Sequence, residues 1–317
     1  MASRKRRKST HLFSAQNKLL LVAIGVVLAF VVLMNISANS EKPFLPTWDE
    51  LFAYLSPAQK PLTDDWQMHV IDVGNADSIL ITDHTHSLLI DAGERGCGDT
   101  VLEYLEKEGI TKLDYVIATH FHSDHIGGMT DVINGIPIGE FLLSYMPEDA
   151  TPTTKVYENM LTALLEQDIA VREVEPGDDF TLGEASFEIL GPIGKDSDIN
   201  NQSIVCRVTC GDTRFLLMGD AEKPSEALLL DAYRDLSADV LKIGHHGSDT
   251  SSSREFLKAV DPTYSVMTCG EGNSYGHPHK LVLTLVEELG IKNYRCDQHG
   301  TVVFTTDGTN ITVSTEK

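Results

Sequence analysis

The 317-residue chain predicts an α/β domain over residues 65–317, preceded by one N-terminal transmembrane helix. Three observations lead to that reading. From Trp66 onward, short apolar runs of strand character alternate with stretches of helical spacing. An uncharged stretch, Leu19 to Met34, follows a basic cluster. Apolar residues make up 42% and charged residues 23% of the chain. That balance supports a large core and excludes a disordered, collagen-like or polytopic membrane protein.

Residues 1–18 read as a basic cytoplasmic tail, with Arg4, Lys5, Arg6, Arg7, Lys8 and Lys18 and no acid. Residues 19–36 read as a signal anchor, because a helix of that length covers roughly 27 Å, close to a bilayer core. The basic run should stay in the cytoplasm and place the rest of the chain outside. The alternative is a cleaved signal peptide and a secreted domain. The apolar stretch is long for that, and Asn35-Ile36-Ser37-Ala38 lacks a small residue at the usual position ahead of Ala38. Residues 37–64 read as a linker with Pro43, Pro46, Pro57 and Pro61. Inside it, Thr47 to Glu50 has capping-box spacing ahead of Leu51, Phe52, Tyr54 and Leu55, so a short amphipathic helix is expected there.

In the domain itself, strands are expected over 68–73, 78–82 and 87–90. A helix follows over 101–108, where Thr100 and Glu103 can form a capping box and Gly109 can end it. The apolar run 113–118 reads as a buried strand and 155–167 as a helix. Strands over 203–210 and 213–218 flank Gly211-Asp212, a hairpin signal. Then come a helix over 224–236, a strand over 240–243, a helix over 253–260, a strand over 264–268 and a helix over 279–289. Two final strands enclose Asp307-Gly308.

Five cysteines form no disulfide framework. Cys206 and Cys210 share one expected strand, with Cα atoms about 13 Å apart, beyond the roughly 7 Å a disulfide spans. No pair has Cys-x-x-Cys spacing, so buried free thiols are expected rather than a structural zinc site.

Charge narrows the function. With 47 acidic and 25 basic residues the formal charge is −22, and residues beyond 40 alone carry −28. Such a body repels polyanions at long range and excludes nucleic-acid binding through a general basic surface. Any anionic substrate must be drawn in by something local and strongly positive.

The histidines supply a candidate. Seven of the twelve fall in three clusters: His120, His122 and His125; His245 and His246; His277 and His279. The first cluster, Thr119-His120-Phe121-His122-Ser123-Asp124-His125, follows a buried strand and precedes an expected helix. Alternation puts His120 and His122 on one side of an extended segment, while Asp124 and His125 project elsewhere. That arrangement suits two adjacent cations better than one, and the mixed imidazole and carboxylate set suits Zn2+ or Mn2+. Asp220 ends an apolar strand, where a carboxylate can bridge two cations. His245 ends another and is a candidate ligand. Asp91 closes a third strand and is expected to orient a ligand histidine from behind.

These blocks resemble the metallo-β-lactamase superfamily over nearly all of residues 66–317. In closer detail the chain looks like the hydrolase domain of ComEC-type competence proteins. The matching stretches are Ile71 to Ser78, Asn200 to Val205, Gly244-His245-His246-Gly247-Ser248, and Asn273-Ser274-Tyr275-Gly276-His277-Pro278-His279. The resemblance implies a four-layer αββα sandwich with the metal site at one edge between two sheets. It implies that His120 and His122 hold metal one, and that Asp124, His125 and His245 hold metal two, with Asp220 bridging. Many superfamily members carry another histidine upstream of the Asp220 position. Here Asn200, Asn201 and Ser203 occupy that segment, so metal one would be either weakly held or completed by water or an amide oxygen. Full-length competence proteins surround this domain with many transmembrane helices. One such helix is expected here, so the chain is not itself expected to form a DNA channel.

Two divalent cations activate a water and stabilise charge on a phosphoryl group. The expected function is therefore a membrane-anchored, outward-facing, metal-dependent phosphodiesterase or nuclease. Asp124 serves both metal and reaction in this reading, and His246, His277 and His279 are candidates for the proton donor or for phosphate binding. Ser248 and Asn273 are candidate contacts to substrate oxygens. The expected partners are the membrane and a phosphodiester, either single-stranded DNA or a cell-surface ester. A metal-dependent ester, thioester or lactone hydrolase is one alternative, and a degenerate surface module is another.

Overall fold

A computed structural model of the protein describes residues 65–145 and 151–317, together with residues 24, 30–34, 37 and 45. The chain divides into two compact units, 1–60 and 61–317. In the first, the Ser37 hydroxyl accepts from the Leu45 amide at 2.7 Å. Among the described residues no helix is long and apolar enough to cross a membrane. The basic tail, most of the expected anchor and the linker helix lie outside the described residues.

The second unit contains fifteen strands among its described residues. In chain order they are β1 (Trp66–Val70), β2 (Ile79–Thr82), β3 (Ser87–Ile90), β4 (Leu113–Ala118), β5 (Ile138–Ser144), β6 (Ala170–Val174), β7 (Asp179–Leu182) and β8 (Ala185–Gly191). Then follow β9 (Val205–Cys210), β10 (Thr213–Leu217), β11 (Val240–Lys242), β12 (Tyr264–Met267), β13 (Lys292–Arg295), β14 (Val302–Thr306) and β15 (Ile311–Thr315). The helices are α1 (Gly98–Lys107), α2 (Ser123–Ile126), α3 (Met129–Gly135), α4 (Lys155–Glu166), α5 (Lys223–Ala232), α6 (Arg254–Val260), α7 (Lys280–Glu288) and α8 (Cys296–His299).

One sheet runs β15-β14-β1-β2-β3-β4-β5-β6 and the other β13-β12-β11-β10-β9-β8-β7. Strand alternation assigns each side chain to a layer. Met68, Ile81, Ile90 and Ile117 of the first sheet meet Phe187, Cys206, Phe215 and Val266 of the second in the central core. Their neighbours Leu80, Leu89, Val116 and Phe141 turn outward to pack under α1, α3 and α4. Leu216, Leu241 and Met267 do the same under α5, α6 and α7. The result is the expected four-layer αββα sandwich. All five cysteines carry free thiols, four of them buried.

Differences from the expected elements have local causes. α1 begins at Gly98 rather than residue 101, where the Val101 amide already donates back to the Cys97 carbonyl at 2.9 Å. Thr100 and Glu103 thus fall inside the helix and form no cap. α5 stops at Ala232 rather than 236, where Tyr233 turns to extended backbone and its hydroxyl donates to the Leu190 carbonyl at 3.0 Å. β5 and β6 were not legible as strands. They pair in parallel, with Arg172 bonded to Glu140 across them at 3.1 Å.

His69 is buried on β1. Its Nδ1 lies 2.8 Å from the Tyr104 hydroxyl and its Nε2 3.1 Å from Gln67 Oε1, a pairing that satisfies the neutral ring. Burial, with His84 and Lys107 adding repulsion, lowers its pKa from 6.5 to about 4. Between those values the unfolded chain takes up a proton that the folded chain refuses. Stability contributed by this group is therefore present above pH 6.5 and lost as pH falls towards 4, by roughly 3 kcal/mol in all. His69→Gln should flatten that part of the pH dependence, measured as the change in urea midpoint between about pH 7 and about pH 4.5.

Candidate metal centre

The candidate residues converge because parallel strands of both sheets end at the same rim. β3, β4 and β5 are parallel in one sheet, and β10, β11 and β12 in the other. Loops leaving the carboxyl ends of parallel strands are where α/β sheets place ligands. β3 delivers Asp91, β4 delivers His120 to His125, β10 delivers Asp220, and β11 delivers His245 and His246. The Ile204 amide donates to the Thr119 carbonyl at 2.9 Å and stitches the sheets together beside the site.

Asp124, His125, Asp220 and His246 bring one donor atom each within 4.8 Å of one another. Asp220 Oδ2 lies 3.3 Å from His125 Nε2 and 3.5 Å from His246 Nε2. Asp124 Oδ2 lies 3.3 Å from His246 Nε2. Beside this group, His120 Nε2 and His122 Nδ1 are 3.1 Å apart, and the rings of His120 and His125 stand 4.1 Å apart. His245 Nε2 is farther out, 3.8 Å from Asp220 Oδ2, and its Nδ1 pairs with Glu222 Oε1 at 3.0 Å.

His245 and His246 both adopt left-handed backbone, with φ of 48° and 53°. Such conformations cost energy in non-glycine residues and persist only where the surroundings enforce them. Here the enclosing glycines permit a tight fit. A Cβ on Gly244 would lie 2.6 Å from the Ala221 carbonyl oxygen, and one on Gly247 2.6 Å from Pro278 Cβ. The turn is what lets two adjacent histidines face the same centre.

Behind the ligand candidates lies a polar foundation. Asp91 Oδ2 is 2.7 Å from His125 Nδ1, and its carboxylate also accepts from the Thr119 amide at 2.8 Å and hydroxyl at 2.6 Å. Lys242, wholly buried on β11, pairs with Asp77 Oδ2 at 2.5 Å and donates to the Gly219 carbonyl at 2.8 Å. Its ammonium is 3.8 Å from Asp220 Oδ1. Asp77 also accepts from the Thr268 hydroxyl at 2.5 Å and faces His246 Nδ1 at 3.3 Å. Burial opposes ionisation of Asp77, but the Lys242 charge overcomes it and holds the carboxyl far below its usual range.

Burial likewise opposes charging of His125 and His246. Asp220 and Asp91 override it for His125, whose pKa stands well above 6.5. The nearby carboxylates of Asp220, Asp124 and Asp77 push His246 up to about 9. Burial, reinforced by the His125 charge, holds His120 well below 6.5, and burial lowers His277 to about 4.

The rim opens as a cleft of about 280 Å3, lined by His122, Asp124, Asn200, Asp220, His245 and His246 among others. His277 and Tyr275 also line it. Ser248, Asn273 and His279 do not. Asn273 bonds the Gly270 and His277 carbonyls at 2.9 and 2.6 Å, and His279 Nδ1 accepts from the Asp249 amide at 2.9 Å. Ser248 accepts from the Thr250 hydroxyl at 2.9 Å. Sequence reasoning missed Asp77, Lys242, Thr268, Glu222 and Tyr275. Lys242 had left a signal, a lone cation inside the apolar run Val240-Leu241-Lys242-Ile243.

The donor set fits divalent cations. His125 Nε2, His246 Nε2, Asp220 Oδ1 and Asn200 Oδ1 are buried and make no hydrogen bond. Buried polar atoms normally find partners, so this cluster of orphans at one rim marks a place built for something else. Asn200 falls in the segment that replaces the usual histidine, for which weak binding, a water or an amide oxygen were the alternatives.

Comparisons with known proteins agree with this geometry. A sequence profile described as "Metallo-beta-lactamase superfamily" matches residues 71–271. ComE operon protein 3 of Bacillus subtilis (strain 168) is 31% identical over 262 residues, which cover 77% of this chain and 33% of that protein. Competence protein ComA of Neisseria gonorrhoeae is 33% identical over 238 residues, 74% of this chain and 31% of that one. The chain thus spans about a third of the length of these relatives. Among solved structures, the metallo-beta-lactamase fold protein YhfI of Bacillus subtilis superposes with a TM-score of 0.53 at 15% identity, covering 77% of this chain and 100% of that one.

Two outcomes are expected from this site. Lys242→Met leaves Asp77 buried without its counter-ion and should cost about 3–5 kcal/mol of stability in urea unfolding, most of it recovered in the double variant with Asp77→Asn. Chelator-stripped protein should release protons on taking up Zn2+ or Mn2+ at about pH 7.5, and fewer as pH rises towards 9, since the surrounding carboxylates hold His125 and His246 protonated and a ligand imidazole must give that proton up. Calorimetry in buffers of different ionisation enthalpy measures that release.

Proposed function

The chain belongs to the metallo-β-lactamase superfamily, and on that premise we propose that it is a metal-dependent phosphodiesterase or nuclease, anchored in a bacterial membrane with its hydrolase domain outside. The observation that carries this reading is the group Asp124, His125, Asp220 and His246, set beside the His120 and His122 pair. The relative named as a competence protein, ComA, supports a nucleic-acid phosphodiester as substrate.

In this reading Asp124, His125, Asp220 and His246 would hold one cation and His120, His122 and Asn200 the other, with Asp220 placed to serve both. The shorter approaches of His246 to Asp124 and Asp220 favour it over His245 for the first position. Bound divalent cations activate water and offset phosphoryl charge. The chain's own residues do the rest. Asp91 fixes the ring of His125 through Nδ1, and Asp77 faces Nδ1 of His246, so each ring presents Nε2 to the centre. Glu222 accepts from Nδ1–H of His245, leaving Nε2 of that ring on the cleft wall to hold a proton for a departing alkoxide. His277, the second ring on that wall, contacts the substrate.

The purified chain, stripped with chelator and reloaded, should cleave bis(p-nitrophenyl) phosphate and a single-stranded oligonucleotide only with Zn2+ or Mn2+ present. Asp220→Ala should lose bound metal and at least ~100-fold in rate together. Full metal content and rate in that variant would remove Asp220 from its bridging place. Two bound metals with hydrolysis of thioesters or lactones alone would move the chain to the alternative substrate class.

A further inference from the structure

The cleft combines two features that a phosphodiester reading leaves unexplained. Its lining includes no lysine or arginine, although the body around it is strongly acidic. Its lip carries Tyr275, whose side chain is 70% exposed. A tyrosine at a cleft lip offers a large, rigid ring face for contact while its hydroxyl stays in water.

Tyr275 is held in place. Asn273 clamps the loop by bonding the Gly270 and His277 carbonyls and accepting from the His277 amide at 3.0 Å. The Tyr275 ring lies near-parallel to the ring of His277, 21° between planes and 5.6 Å between centroids. His277 in turn lies near-parallel to His246, at 28° and 6.1 Å. Three rings thus step outward from the candidate metal group to the surface, and Tyr275 is the outermost plane.

We propose that Tyr275 is the stacking platform for a base next to the scissile phosphate, so that the site grips single-stranded nucleic acid by stacking rather than by ion pairs. The proposal rests on the phosphodiester reading and names its substrate class. A flat base extends a series of parallel planes, and stacking is available to every base whatever its sequence. Duplex DNA keeps its bases stacked on one another and cannot offer one to the ring. A quaternary ammonium group, such as choline, is the competing ligand for an aromatic face. Such cations are favoured by cages of several rings, and Tyr275 is the one Phe, Tyr or Trp among the residues lining this cleft.

The test uses the full metal-loaded chain and four substrates: bis(p-nitrophenyl) phosphate, a single-stranded oligonucleotide, the same strand carrying abasic sites, and p-nitrophenyl phosphorylcholine. Tyr275→Ala should raise KM for the base-bearing strand about 5- to 150-fold with kcat little changed, and Tyr275→Trp should restore it. The abasic strand should be as poor a substrate for the parent as the base-bearing strand is for Tyr275→Ala. Binding of the strand should depend weakly on salt, with a log–log slope shallower than about −1, since each phosphate paired to a cationic side chain adds about −0.7. Equal cleavage of abasic and base-bearing strands, a salt slope of about −3 or steeper, or a preference for the phosphorylcholine ester that Tyr275→Ala abolishes would each overturn the proposal. Cleavage of bis(p-nitrophenyl) phosphate separates the two ideas. If the parent hydrolyses it, failure of the other arms falls on Tyr275 alone; if the parent hydrolyses no phosphodiester, the functional reading fails and takes this one with it.

Discussion

The buried pair of Lys242 and Asp77 is the constraint around which the rim is organised. A lysine ammonium taken wholly out of water is tolerable only beside a carboxylate and further acceptors. Lys242 finds these in Asp77, the Gly219 carbonyl and, at longer range, Asp220. Each partner is tied onward. Asp77 reaches Thr268 and His246, and Gly219 precedes Asp220. Asp77 comes from the loop before β2 in one sheet and Lys242 from β11 in the other. One ion pair thus fixes the spacing of the sheets where the ligand candidates hang. Buried pairs of this sort are poor sources of net stability, and their retention here goes with positioning rather than with strength.

Much of the fold was legible because its central strands are apolar runs. β3 and β4 were placed to the residue, and the ends of β10, β11 and β12 to within one or two. β5, β6, β7, β8 and β13 were not read as strands; among them β6 and β7 end their sheets and carry Arg172, Glu173, Asp179 and Thr181 on exposed or half-exposed faces. The same contrast holds at the site. His120, His122, Asp124, His125 and Asp220 were visible as spacing along short segments. Asp77 and Lys242 lie far apart in sequence, and neither residue type signals burial, so only tertiary structure unites them. The order of His245 and His246 around the centre was also beyond spacing, because it depends on two successive left-handed residues enclosed by glycines.

Charge divides the labour between body and site. Four carboxylates, Asp77, Asp91, Asp124 and Asp220, crowd one rim of an already acidic domain. One lysine and two imidazoles with raised pKa offset them locally. Such a rim attracts cations before it attracts anything else. A polyanion approaching the surface meets repulsion everywhere except where divalent cations have settled, and the protein then discriminates by neighbouring contacts rather than by bulk attraction.

The rim is also a seam. The Ile204 amide on the Thr119 carbonyl, Lys242 on Asp77, His125 against Asp220 and His246 against Asp124 all join one half of the sandwich to the other. Cations held across that seam would act as a clasp on the two halves. Loading them would then couple the opening of both sheets, so that amide hydrogens at the ends of β4 and β10 would be protected as one cooperative unit rather than as two.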